Sequence, residues 1–242
     1  MSLFSHPHDK IYGCTSHDRN FVGDSLTKGV ILNERKRYSL VERNFIDLVR
    51  EMKDIEIMNY GKFGCTVTYG HNVLDRHADE ITASEYTLLE YGGNDCDFDW
   101  NAVGIDPKAA HSPKTSLGSF MDFFNGLIDR IRQLGSKPVI ISLPPILSDL
   151  YYEFICKDMD AERKRNVLEW LGGDVNAISR WHESYNQALF KIAEQTSVPI
   201  IDITSPFYEY EDGIPSLICA DGIHPNADGH ALIADSINKF SF

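Results

Sequence analysis

Short apolar runs alternate along the chain with longer stretches in which apolar residues recur every three or four positions. The short runs read as buried strands and the longer stretches as amphipathic helices, and their alternation marks βαβ units around a parallel sheet. Five strands are expected, at "NFVGDS", "IEIMNY", "EYTLLEYGG", "KPVIISLPP" and "VPIIDI". The fourth is nearly continuous in apolar residues, as a strand covered on both faces must be. Ser39 and Glu42 have capping-box spacing, and Val41, Phe45, Leu48, Val49 and Met52 share one helical face around and behind them. Thr115 or Ser116 is placed to cap a later helix that buries Phe120, Phe123, Phe124, Leu127, Ile131 and Leu134, and Gly135 stops it. Asn226 is placed to cap the last helix.

Two segments break this rhythm. Residues 95–114 form a long polar connection containing prolines. Residues 148–172 hold a charged insert, "DMDAERKRNVLEW", that reads as a surface helix, with part of a lid as the alternative. No repeat, low-complexity tract or linker marks a second domain. The expectation is one α/β domain over residues 1–242, a three-layer α/β/α sandwich on a five-stranded parallel sheet of flavodoxin-like type.

Composition narrows the partners. Thirty-six acidic against 23 basic residues leave a net charge of −13, a field that repels nucleic-acid backbones and anionic lipid surfaces. No apolar stretch is long enough for a membrane span, and the N-terminus lacks a signal-peptide core. Cys14, Cys65, Cys96, Cys156 and Cys219 are scattered and odd in number, which suits free thiols in a reducing, cytoplasmic setting. The N-terminal "HPH" reads as a tail rather than a metal site.

Ligands of open α/β sheets bind beyond the carboxyl ends of the strands. At those ends stand "GDSLTKG" with Ser25, "NYGKFGCT" with Gly64 and "GGND" with Asn94, and before the last helix stands "DGIHPN" with Asp221 and His224. Each has a plainer reading alone. Ser25 suits a helix cap, Gly61 and Gly64 suit turns, and Asp221 suits a turn cap beside a surface His224. Four such loops in one order on one rim argue for a shared site. Together these blocks resemble the four signature blocks of the SGNH/GDSL hydrolases, over residues 20–230. The resemblance implies Ser25 as nucleophile, His224 as base and Asp221 as its partner. It also implies Ser25, Gly64 and Asn94 as donors of an oxyanion hole. Cys65 stands where many members carry Asp.

The chemistry agrees with the residue types. A serine hydroxyl needs an adjacent base, histidine titrates near neutral pH, and a carboxylate can fix the imidazole tautomer. Such a site supplies its own nucleophile, base and donors, so no cofactor or metal is expected, and the partner is a small ester. The rival is a metal-dependent phosphoesterase built on "DRH", Asp75 to His77. A catalytically silent binding module is a third reading. Asp97 and Asp99 look like a carboxylate pair but read as a solvated loop. Short acyl chains are the expected substrates, because the 95–114 and 148–172 segments are polar and their aromatics look isolated.

Overall fold

Alternation along a strand sends neighbouring side chains to opposite faces. Phe21, Leu88 and Val139 point one way and Val22, Leu89 and Ile140 the other, and each is at most 1 % exposed. A sheet buried so fully on both faces needs a helical layer on each side. The computed structural model describes residues 19–241 and has this arrangement. Cys14 and "HPH" lie outside the described residues.

The strands are β1 (Arg19–Gly23), β2 (Val30–Leu32), β3 (Tyr38–Leu40), β4 (Ile57–Asn59), β5 (Tyr86–Glu90), β6 (Lys137–Ile141) and β7 (Ile200–Ile201). Five of them form one parallel sheet in the order β4-β1-β5-β6-β7, with Phe21 facing Asn59 on one side and Leu88 on the other. This is the flavodoxin-like order, whose topological switch point lies beside β1, the usual place for a ligand crevice. The helices Val67–Arg76, Leu117–Gln133 and Ala177–Thr196 cover the face that carries Val22, Leu89 and Ile140. The helices Phe45–Lys53 and Ala227–Lys239 cover the other face. Ser116 caps Leu117–Gln133 by accepting from Ser119 N, and Asn226 caps Ala227–Lys239 by accepting from Asp228 N and Gly229 N.

Several expectations need correction. Ser39 caps no helix, because it lies in β3, which pairs antiparallel with β2 in a hairpin. The hairpin closes through Asn33, whose side-chain oxygen accepts from Arg35 N and Arg37 N, with Lys36 in the left-handed region at φ 55°. Such local side-chain bonds outcompete helix formation. The capping box instead joins Asn44 and Asp47, so the helix starts at Phe45 and excludes Val41. Its buried residues are Phe45, Ile46 and Val49, while Met52 is exposed. Phe123 is exposed as well.

The two irregular segments are also more ordered than their composition suggests. Residues 95–114 contain a helix, Trp100–Ile105, and residues 148–172 contain two, Ser148–Ile155 and Ala161–Trp170. They pack together in a cluster of their own around Trp100, Val103, Tyr151, Tyr152 and Val167, all at most 9 % exposed. Most charged side chains of the insert face outward, and Tyr151, Tyr152, Val167 and Trp170 face this cluster. Among the described residues, no helix is long and apolar enough to cross a membrane.

The relocated cap is testable by denaturant unfolding. Asn44→Ala is expected to lower stability by about 1–2 kcal/mol, the usual cost of a lost side-chain cap. Ser39→Ala removes a single long bond from Asn33 Nδ2 and is expected to stay within about 0.5 kcal/mol of the parent.

Candidate active site

The turn after β1 presents Ser25. Asp24 N-caps the four-residue helix Ser25–Lys28 by accepting from Leu26 N at 3.0 Å, so the cap is Asp24 and the Ser25 hydroxyl stays available. Gly61 leaves the room this turn needs, since a Cβ there would meet Lys28 N at 2.4 Å. From the far end of the chain, His224 reaches the same place. Its Nε2 lies 3.0 Å from Ser25 Oγ and its Nδ1 lies 2.6 Å from Asp221 Oδ2. Asp221 Oδ1 also accepts from Ile223 N and His224 N, so Asp221 is both the turn cap and the imidazole's partner. A proton on Nδ1 satisfies the carboxylate and leaves Nε2 bare to accept from the serine hydroxyl. Asp221 is fully buried, and His224 and Ser25 are 5 % and 8 % exposed.

The sharp turn behind this pair depends on Gly222 at φ 79°. A Cβ at Gly222 would meet Tyr151 N at 2.5 Å and Leu147 O at 2.6 Å, and Leu147 N donates to Gly222 O. The insert therefore clasps the Asp221–His224 turn. On the open side, the Tyr38 ring of the hairpin lies 5.3 Å from the His224 ring, and Phe63 lies 6.4 Å from it.

Gly64 and Asn94 line the same cavity as Ser25 and His224. Gly64 is at φ 72°, and among the described residues its N–H has no partner. One N–H of the Asn94 amide donates to Asp24 Oδ2 at 2.8 Å. That contact decides which way the amide is turned and leaves its second N–H free. Next to it, Asp95 is fully buried and accepts from Val67 N with both oxygens at 3.1 Å. It thereby ties the β5 loop to the helix after the Gly64 loop, and burial raises its pKa to about 6.

Two more carboxyls belong to the site that the loop motifs alone did not single out. Asp24 and Glu90 are 4 % and 2 % exposed. Glu90 Oε2 accepts from Thr27 Oγ1 at 3.0 Å and from Asp24 N at 3.4 Å, and the two carboxyls meet each other. Burial, and then the Asp24 charge, push Glu90 well above the usual carboxylate range; burial also raises Asp24. Two carboxylates buried together cannot both ionise, so the pair keeps one proton. The bonds from Leu26 N and the Asn94 amide favour a charged Asp24, whereas the Asp24 charge disfavours a charged Glu90, which places that proton on Glu90, donating to Asp24.

The remaining candidates have structural roles. Asp97 is no solvated residue, since it accepts from Trp100 Nε1 at 2.7 Å, Tyr151 Oη at 2.7 Å and Lys114 Nζ at 2.9 Å. Asp99 caps the Trp100–Ile105 helix. Asp75 pairs with Arg130, and His77 lies beside Glu80 and Tyr60 at the end of a helix; neither lines the Ser25 cavity. Among the described residues, no three His, Cys, Asp or Glu side chains gather as metal ligands would.

The family model for the GDSL-like Lipase/Acylhydrolase family matches residues 21–232. The chain belongs to this family. Among curated proteins it is 24 % identical over 230 residues to the Bacillus subtilis protein named uncharacterized lipoprotein YqeF, covering 89 % of this chain and 85 % of that one. Among solved structures, it resembles a lipase/acylhydrolase from Enterococcus faecalis with a TM-score of 0.59 at 17 % identity, covering 92 % of this chain and 94 % of that one. It also resembles a catalytic mutant of Axe2, an acetylxylan esterase from Geobacillus stearothermophilus, with a TM-score of 0.62 at 17 % identity, covering 93 % and 95 %. At such identities the structural likeness speaks for the shared fold.

The shared proton has a measurable consequence. Above about pH 4.3, where an unfolded glutamate ionises, the folded state still holds the Glu90 proton. The folded state then binds more protons than the unfolded one, so this group's contribution to stability falls as pH rises towards its folded pKa. Glu90→Gln keeps a donor for Asp24 and an acceptor for Thr27 but has no proton to lose. Thermal melts from pH 4 to pH 9 are expected to show the variant gaining on the parent as pH rises. A constant gap between the two would contradict the shared proton.

Proposed function

We propose that the chain is a serine-dependent hydrolase of acyl esters that works through a covalent acyl-enzyme. The observation that carries this reading is the unbroken run of hydrogen bonds from Ser25 Oγ through His224 to buried Asp221. Ser25 Oγ attacks the ester carbonyl while His224 Nε2 takes its proton, and Asp221 stabilises the imidazolium that forms. The carbonyl oxygen becomes an oxyanion, for which the Ser25 and Gly64 N–H groups and the free Asn94 N–H are the donors. Collapse expels the alcohol, which takes the proton back from His224. Water then repeats the sequence on the acyl-serine, releasing the acid and restoring the serine.

The Asp24–Glu90 pair supports this chemistry indirectly. Asp24 holds the Asn94 amide in the donating orientation, and a neutral Glu90 limits the charge beneath the oxyanion to one. Preorganised donors of this kind carry much of the acceleration in acyl transfer. The expectation of short acyl chains, in contrast, loses its premise. The aromatics of the two irregular segments are gathered in one cluster against the cavity instead of being isolated.

Ser25→Ala and His224→Ala are each expected to lower kcat for nitrophenyl ester hydrolysis by roughly 10⁴–10⁶-fold with the fold retained by circular dichroism. A serine-directed organophosphonate is expected to label Ser25 and no other residue, and a chelator to leave the rate unchanged. Full activity in Ser25→Ala, or loss in chelator with recovery on adding metal, would overturn the proposal.

Asn94→Ala is expected to lower kcat by about 10²–10³-fold at nearly constant KM, because its free N–H acts on charge that develops only in the transition state. A raised KM with kcat intact would instead assign Asn94 to ground-state binding.

A further inference from the structure

The cavity that contains Ser25 is far larger than an acetyl group needs. It encloses about 740 Å³ and runs from Ser25, Gly64 and His224 to a wall of Phe98, Trp100 and Trp181. Pockets of this size hold drug-sized molecules. The wall is apolar because its polar handles are used within the protein. Trp100 Nε1 and Tyr151 Oη donate to Asp97, and Trp181 Nε1 donates to Cys96 O at 2.9 Å. The rings pack edge-on around Phe98, whose centroid lies 5.6 Å from that of Trp100 and 4.9 Å from that of Trp170.

One group in the cavity departs from this pattern. His182, on the helix Ala177–Thr196, lines the cavity and is 6 % exposed. Its ring nitrogens have no hydrogen-bond partner among the described residues. Burial pushes its pKa down to about 4, so it is a neutral imidazole at physiological pH. Its nitrogens are not sealed off in the way His230 Nε2 is, so they open to the cavity and can bond a ligand atom there. A neutral imidazole offers one N–H donor and one bare nitrogen acceptor. A hydroxyl, which both donates and accepts, can answer either one.

The two halves of an ester are assigned by the path of the proton. His224 must reach the leaving oxygen, so the alcohol lies on its side, where Tyr38 and Phe63 form a rim and are 41 % and 50 % exposed. The acyl group then faces the enclosed side, along the loop that leads from Asn94 to Phe98 and Trp100.

We propose that the cavity takes the acyl half of an ester whose acyl group is a large apolar body, alkyl or aromatic, carrying one neutral hydroxyl that meets His182. This rests on the serine-hydrolase reading above and adds its substrate class.

The test measures kcat/KM of the full chain on five esters: nitrophenyl acetate, octanoate and 8-hydroxyoctanoate, and methyl cinnamate and 4-hydroxycinnamate. Efficiency is expected to rise from acetate to octanoate, by up to about fourfold for each methylene that is buried. Within the alkyl or the aromatic pair, the hydroxylated ester is expected to lead by about tenfold or more. Which pair shows the lead identifies the shape of the apolar body. His182→Leu is expected to bring that ratio close to one, and His182→Gln, which keeps a donor and an acceptor, to restore part of it. The wild-type ratio and the Gln variant decide the matter if the Leu variant does not fold. A maximum at acetate, or wild-type ratios of one in both pairs, would overturn this inference while leaving the hydrolase reading intact. No turnover of any ester, together with no organophosphonate labelling of Ser25, would remove both.

Discussion

A carboxylate taken out of water has to be satisfied by the protein around it, and the region around Ser25 is arranged to satisfy Asp24. Its carboxylate takes Leu26 N from its own turn and the Asn94 amide from the loop after β5, and it meets the Glu90 carboxyl from the end of β5. Those contacts bind two loops of the crevice at the switch point into one body. Glu90 in turn holds Thr27, and Asn59 from the end of β4 donates to Thr27 O. If Asp24 shifted, the serine turn and the Asn94 amide would shift together. The buried pair is therefore less a source of stability than a way of fixing one geometry, and the cost of burying it is moderated by a shared proton.

His224 is held by a second set of constraints that comes from outside the sheet. Its turn is pressed against the first helix of the 148–172 insert so closely that only glycine fits at position 222. The same insert, with the Trp100–Ile105 helix, walls the cavity. The elements that add volume for a substrate thus also seat the proposed base. Sharing of this kind couples the shape of the cavity to the position of His224, and both follow from the aromatic cluster that packs the two irregular segments together.

Much of this was legible along the chain, and the reasons are local. The strands were visible because burial on both faces demands unbroken apolar runs, as in "KPVIISLPP". Ser25, Gly64, Asn94, Asp221 and His224 stood out because loops at strand ends need particular residue types, and those types sit together in short blocks. The Ser116 and Asn226 caps were readable for the same reason. The hairpin at β2 and β3 was not, because Ser39 and Glu42 mimic a capping box and the competing signal, Asn33 closing its own turn, is a single residue.

What the sequence determined by itself is whatever depends on periodicity and on short-range chemistry: the parallel sheet, its two helical layers, the order of the loops and the residue types at their tips. What only the tertiary structure decided depends on pairs far apart in the chain. Ser25 and His224 are separated by 199 positions, and Asp24 and Asn94 by 70. The protonation of Glu90, the orientation of the Asn94 amide and the open nitrogens of His182 are properties of what packs against them. So is the apolar interior of the 95–114 and 148–172 segments. Their composition is polar because one side of each faces water, and only folding shows which side that is, since burial is a relation between residues and not a property of any one of them.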